Sequence, residues 1–475
     1  MNIILDKHRG LADSIWSGVD GSYAKAVGVD FHTKPGAIQA HQKLTKDSGA
    51  TITALCKVAI AVSDGSKLWF SATDGKIWRE SSGTYTLKHT TTPASGEAGC
   101  LGAAEFNGRI YWATESRLHY IAVASIGADP WAAQVEDNGT FTDTDDTYHP
   151  MVVQNNELFI GDKTLLASVD EDFAFTADRF ENILTPHRVR ILLPFDADIL
   201  IGTIIADTVN YCELYRWDTI ADNWQFADHI YRNGVRAGMV LDEVPVFAVG
   251  NRGHLMYYDG QRLRKWKRLP GTYTASAYLD IHPQSMAYFD DRAVIGVSNG
   301  SGNPIDEGIY DLGSYSADYP TILSLAFPLS EGVFTGITIG AVIVDGLNLY
   351  VAWGEGADFG VDKLDYTAKY ASAYLESRVI RLGTHYNQSV NKFFALYESL
   401  NGGDLAISYK KNHAGSFTSL TTKDDDTVNS VISEDLPDAR SLQVKLEFTV
   451  SGNSTPVVEM WGLSPTPTQN NDATI

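Results

Sequence analysis

The chain has 475 residues, and 59 acidic against 37 basic side chains leave a formal net charge of −22. That balance opposes non-specific nucleic-acid binding through the overall field, although local basic patches stay open. A hydrophobic content of 44% argues against disorder, and no run of about 18 apolar residues is present to span a membrane.

Aromatic residues make up 11% of the chain and glycine occurs 41 times. Without long helical periodicity, this composition predicts an all-β protein with many tight turns. The three cysteines, Cys56, Cys100 and Cys212, are far apart and show no metal-ligand spacing. They read as buried free thiols. The opening MNIILDKHRGLADS has a short apolar run followed by charges, so no secretory signal is expected and the protein is expected to be made soluble.

Residues 1–50 read as a lead-in segment. SYAKAVGVDFHTKPG at 22–36 holds one alternating strand ended by a Pro-Gly turn, and QAHQKLTKDSGA follows as a polar connection. A strand from this segment, or one near 370, is available to complete a later sheet.

From residue 51 a unit recurs: an apolar strand, an Asp/Asn-rich turn, a strand ending in a small residue, a loop and a third strand. GCLGAAEFNGRIYWATESRLHYIAV shows it most plainly, with Asn107-Gly108 as a two-residue hairpin. The other turns fall at Asp64-Gly65, Asn155-Asn156, Asp196, Asp242, Asp290 and Asp345-Gly346. Their spacing of roughly 41 to 55 residues is that of four-stranded propeller blades. The expectation is a seven-bladed β-propeller over 51–366. Between 367 and 464 the repeat gives way to seven short strands. In SLQVKLEF, Leu442, Val444, Leu446 and Phe448 face one way and Gln443, Lys445 and Glu447 the other. This predicts a C-terminal antiparallel β-sandwich, with 465–475 as a flexible tail.

Motifs for chemistry are sparse. SATDGKIW at 71–78 is close to the Asp-box turn of sialidase-like propellers, a structural device that speaks to fold. No GxSxG, HExxH, P-loop or EF-hand pattern occurs. No catalytic, cofactor-binding or metal-binding residue is therefore assigned, and the chain is read as a non-enzyme. His149-Pro150 and His282-Pro283 read as strand starts with hydrogen-bonded histidines rather than as ligands. TDTDDT at 142–147 and KDDDT at 423–427 read as solvated loops rather than calcium sites. The one local departure from the acidic balance is Arg262, Arg264, Lys265, Trp266, Lys267 and Arg268. Alternation there places Arg262, Arg264, Trp266 and Arg268 on one face, and Leu263, Lys265 and Lys267 on the other. This patch suits contact with a polyanion or an acidic subunit interface, set against the plain reading of a charged outer strand that blocks edge pairing.

GLADSIWSGVDGSYAKAVGVDFHTKPGAIQAHQKLTKDSG, GCLGAAEFNGRIYWATESRLHYI, HPMVVQNNELFIGD and SNGSGNPIDEGIYDLGSYS resemble phrases of propeller-containing structural proteins of tailed bacteriophages. SRVIRLG and ARSLQVKLEFTVSGNSTPVVEMWGLS are similar to β-sandwich modules of phage tail and adsorption proteins. The resemblance implies a virion component made in the host cytoplasm, of nozzle, tail-tip or adaptor type. It would act through other phage structural proteins and a homo-oligomeric ring, without sequence-specific nucleic-acid binding. The alternatives are a host-surface glycan-binding module, in which Trp461, Tyr397 and Tyr409 are candidates for sugar stacking although most of them read as core, and a propeller glycosidase.

Overall fold

The computed structural model describes residues 3–5, 8–12, 21–34, 36–49, 51–91, 99–131, 135–142, 148–314, 321–330, 332, 335–382, 390–398, 400, 402–413, 415–424 and 430–465. The remainder of both acidic clusters and the C-terminal tail beyond 465 lie outside them.

Each recurring unit folds into an antiparallel sheet of consecutive strands. The first contains Cys56–Ala61, Lys67–Ser71, Lys76–Ser81 and Thr84–Thr90. The second contains Gly102–Phe106, Arg109–Ala113, Arg117–Ala122 and Glu136–Thr140. Four-stranded sheets follow from Met151–Gln154 to Phe175–Phe180, from Arg188–Phe195 to Phe226–Ile230 and from Val235–Leu241 to Leu263–Arg268. The Asp290 unit pairs Met286–Phe289, Arg292–Ser301, Gly308–Gly313 and Ile322–Phe327 in series. The last unit contributes Ile337–Asp345, Asn348–Glu355 and Asp358–Lys369. The first strand of each unit touches the first strand of the next, and Ile337–Asp345 returns to touch Cys56–Ala61. A closed ring of meandering sheets is a β-propeller.

Turn chemistry sets the meander. Asn107 and Gly108 take φ of 47° and 74°, Asn155 and Asn156 take 50° and 60°, and Asp290 and Asp291 take 51° and 59°. Positive φ at both central residues matches the twist of a two-residue hairpin, and Asn, Asp and Gly reach it at least cost. Side-chain alternation then joins the sheets. Trp112 packs with Val58, Leu68 and Phe70 of the preceding sheet. Its neighbour Tyr111, on the other face of the strand, packs with Leu158 and Ile160 of the following one. Backbone approach is close where Gly102 passes the next sheet: a Cβ there would lie 1.7 Å from the His149 carbonyl oxygen.

The lead-in segment behaves differently from its sequence reading. Gln42–Lys46, inside the stretch read as a polar connection, is the fourth strand of the last unit, pairing Leu44 with Leu364 and Lys46 with Asp362. Only Leu44 of these five residues is buried, which is why the strand carries no alternating signature. Tyr23–Val27, the strand that was legible, pairs parallel with Ile322–Phe327 through Val27 and Leu325, and antiparallel with Ala373–Ser377. It thereby joins a propeller sheet to the C-terminal sheet of Ala373–Ser377, Ser441–Thr449, Asp404–Lys411 and Thr418–Lys423. A second C-terminal sheet orders Ile3–Leu5, Val458–Pro465, Val390–Tyr397 and Ser430–Glu434.

One apolar core crosses the junction. Leu375, Leu446 and Phe448 of one C-terminal sheet meet Phe393, Trp461 and Leu463 of the other, and the same cluster runs through Tyr23 into Ile295, Leu312 and Leu323 of the propeller. Tyr23 is fully buried and stacks on Trp461 with ring centroids 6.5 Å apart. Polar contacts tie the same segment down. The Asp30 carboxylate accepts bonds from the His32 and Thr33 amides at 2.8 and 3.0 Å, and His32 Nε2 lies 3.3 Å from buried Asp311. Arg292 and Ser324 complete the Asp311 shell at 3.0 and 2.6 Å.

Candidate functional site

The ring of first strands surrounds a cavity of about 840 Å³ on the side where those strands begin. Four of the first strands shift register near that end: in Ile337–Asp345 the irregularity holds Gly340 and Ala341, and in the other three a single residue is inserted. Pairing runs from Cys56–Ser71 to Val58–Phe70, from Val189–Thr203 to Ile191–Gly202, and from Val235–Val249 to Ala237–Ala248. The extra residues are Lys57, Arg190 and Arg236. A bulge re-aims the inserted side chain away from the alternating pattern of its strand, and in these three strands the inserted residue is a cation.

Arg190 and Arg236 are buried, and their guanidinium nitrogens lie 3.4 and 3.3 Å from Asp280 Oδ1. Arg190 also donates to the Ile281 carbonyl at 3.2 Å and sits 4.4 Å over the Tyr148 ring, while Arg236 reaches Asp207 at 2.7 Å. Burial pushes the Asp280 carboxyl up, but His282, Arg190, Arg236 and Lys57 outweigh it and hold the group at about 2. His282 is buried, 3.9 Å from Asp280, and neither ring nitrogen has a hydrogen-bond partner among the described residues. Burial brings its pKa down to about 4, against the pull of Asp280. Lys57 is half-buried in the cavity wall, and burial lowers its pKa as well. Glu115, Asp207 and Arg188 also line the cavity, with Val58, Leu101, Met151 and Ile191 as apolar wall.

The basic run found in the sequence lies at the opposite edge of one of these sheets, on the outer strand Leu263–Arg268. Its alternation is interrupted, because Leu255 pairs with Lys267 and Met256 with Lys265, leaving Trp266 as a bulge residue. Trp266 is half-buried against the core and edge-on to Tyr257, so it does not share an open face with the arginines. Arg264 pairs with Asp259 at 2.6 Å, and Arg268 donates to the Arg252 carbonyl and lies over Tyr273. Arg262 and Lys265 are exposed. The region is electropositive: burial, then Arg232, Arg268, Lys265 and Arg252, bring the His254 pKa down to about 4.

The other residues singled out by the sequence resolve into structure. His149 is buried, stacked on Phe141, with ring nitrogens 2.6 and 3.3 Å from the carbonyls of Gly161 and Glu115. His282, expected to be hydrogen-bonded like it, is instead part of the cationic cluster. In the Asp-box-like turn, the Asp74 amide donates to Ser71 Oγ and Asp74 Oδ1 accepts from the Lys76 amide, which closes the turn locally. Trp461 and Tyr397 are core residues and present no surface for sugar stacking, whereas Tyr409 is half-buried. Cys56, Cys100 and Cys212 are buried free thiols. Of the acidic clusters, only Thr142, Lys423 and Asp424 are among the described residues, and these residues include no group of three ligands able to hold a metal.

No family model matches the chain, and no curated protein matches it in sequence. Among solved structures it is similar to the extracellular domain of a hybrid two-component system from B. thetaiotaomicron, at 14% identity over 80% of this chain and 47% of that one, with a TM-score of 0.47. It is also similar to virginiamycin B lyase from Staphylococcus aureus, at 9% identity over 68% of this chain and 99% of that one, with a TM-score of 0.46. The WD40 propeller domain of Doa1 gives 12% identity, 69% and 97% coverage and a TM-score of 0.46. The chain spans about half the length of the first of these. Strand pairing and the closed ring of first strands carry the propeller fold.

The cationic bulges went unnoticed in the sequence, though a signal was there. Cys56-Lys57-Val58, Val189-Arg190-Ile191 and Val235-Arg236-Ala237 each set a cation between apolar residues at the start of a unit. A cation in a position that alternation makes inward-facing is the trace of a bulge or of a charge in the channel.

Proposed function

We propose that the chain is a non-enzymatic structural protein of the tail of a tailed bacteriophage, of nozzle, tail-tip or adaptor type, working through assembly interfaces in the virion. In this reading the propeller has seven blades, formed by 51–366 with the lead-in strand Gln42–Lys46 closing the last, and 367–464 forms an antiparallel sandwich. The observation that carries it is the continuous sheet through Tyr23–Val27, which fuses the two modules into one body. A repeated assembly transmits position through rigid parts, and a shared core leaves no linker to hinge on. The phage-like phrases of the sequence point to the same class.

A contact surface fits this role. On the hairpin side of the ring, Val244, Tyr288, Leu347 and Tyr366 stay exposed among acidic turns. Asp242, Asp290 and Asp291 act on Tyr288, Asp290 acts on Tyr366, and the Tyr366 hydroxyl donates to the Leu347 carbonyl, which brings Tyr288, Tyr366 and Leu347 around one acidic turn region. Apolar side chains rimmed by charge suit a specific protein contact. Native mass spectrometry of the full chain should give one closed oligomer that persists on dilution. A monomer at every concentration would contradict the homo-oligomeric assembly.

A further inference from the structure

We propose that the cavity at the centre of the propeller binds a small organic anion, whose carboxylate or phosphate head seats against Lys57 and Arg190 and whose body lies on the wall of Val58, Leu101, Met151 and Ile191. Geometry carries the inference. In three separate sheets the first strand inserts a single residue at the same end and that residue is a cation, whereas the irregularity of Ile337–Asp345 holds Gly340 and Ala341. Bulges are kept where a side chain must be re-aimed, typically beside a binding site. Structural need accounts for Arg190 and Arg236, which share Asp280 and hold backbone carbonyls.

It does not account for Lys57. Lys57 lines the cavity, is half-buried, and makes no hydrogen bond or close ion pair among the described residues, with Asp280 attracting it from farther away. A charge withdrawn from water without a close partner costs stability, so it is retained where something else pairs with it. A volume of about 840 Å³ lies in the range of roughly 300–1,000 Å³ usual for small-molecule sites. The unpartnered imidazole of His282, next to the lining residue Pro283, offers a further polar contact.

The test is calorimetric titration of the full chain at low ionic strength with D-glucuronate, inorganic phosphate and neutral D-glucose. At least one anion should bind and glucose should not; which anion binds identifies the head group. Lys57→Met should weaken that binding about ten- to a hundredfold, the loss of one charge-assisted hydrogen bond. Lys57→Arg should retain most of it. Without ligand, Lys57→Met should melt no lower than the parent, because a half-buried charge without a close partner is removed. Failure of both anions to bind, equal binding of glucose, or undiminished binding by Lys57→Met would overturn the proposal. A marked drop in melting temperature for Lys57→Met would do so too, by making Lys57 a structural counter-ion of Asp280. None of these results depends on the oligomeric state, so the assembly reading stands or falls separately.

Discussion

Titration of two buried histidines should remove roughly 5 kcal/mol of folding stability as the pH falls from about 6.5 to about 4. The source is His41 and His282. Burial brings both down from 6.5 to about 4, His41 among Asp30, Arg292, Asp311 and Lys369, and His282 among Asp280, Lys57, Arg190 and Arg236. The unfolded chain takes up these protons first, so each histidine contributes its full stability above the unfolded pKa and loses it as pH falls toward the folded one. Each full shift is worth about 3 kcal/mol. A second loss follows below pH 4, as Asp30 and Asp280, held at about 2, protonate in the unfolded chain before the folded one. Urea unfolding at a series of pH values reads the slope directly. A flat profile between pH 7 and 4 would contradict it, and His41→Gln should remove about half of it.

Tyr23→Ala should destabilise the protein by about 3–5 kcal/mol, the usual cost of emptying a large aromatic site in a packed core. Tyr23 is fully buried, stacks on Trp461 and packs tilted against Phe31, and its hydroxyl meets His8 Nδ1 and accepts from Trp461 Nε1. Tyr23→Phe keeps the ring and should cost less, about 1–3 kcal/mol, because it takes the acceptor away from the buried Trp461 Nε1. Thermal unfolding checks both. Equal and small losses would mean that the junction is not held by this ring.

Local chemistry made some of these features readable and left others silent. Asn107-Gly108, Asn155-Asn156 and the Asp290 turn were legible because a two-residue hairpin demands positive φ, which few residues supply. The outer strands were mostly not. Glu136–Thr140 reads EDNGT and has no apolar residue, since an outermost strand has little to bury. Gln42–Lys46 was invisible for the same reason, with Leu44 alone turned inward, and its partner lies more than 300 residues away. Trp266 misled because alternation was assumed across a bulge. Lys57, Arg190 and Arg236 became a group only through ring closure, which no local window contains.

If the lead-in segment makes the propeller and the C-terminal sheets one body, native-state hydrogen exchange will show it most directly. Amides of Tyr23–Val27 and Gln42–Lys46 should exchange only with the global unfolding that also releases inner-strand amides such as Ile110 and Ile201. Exchange of these two strands at a much lower free energy than the sheets they join would contradict a single body, and the rigid assembly unit with it.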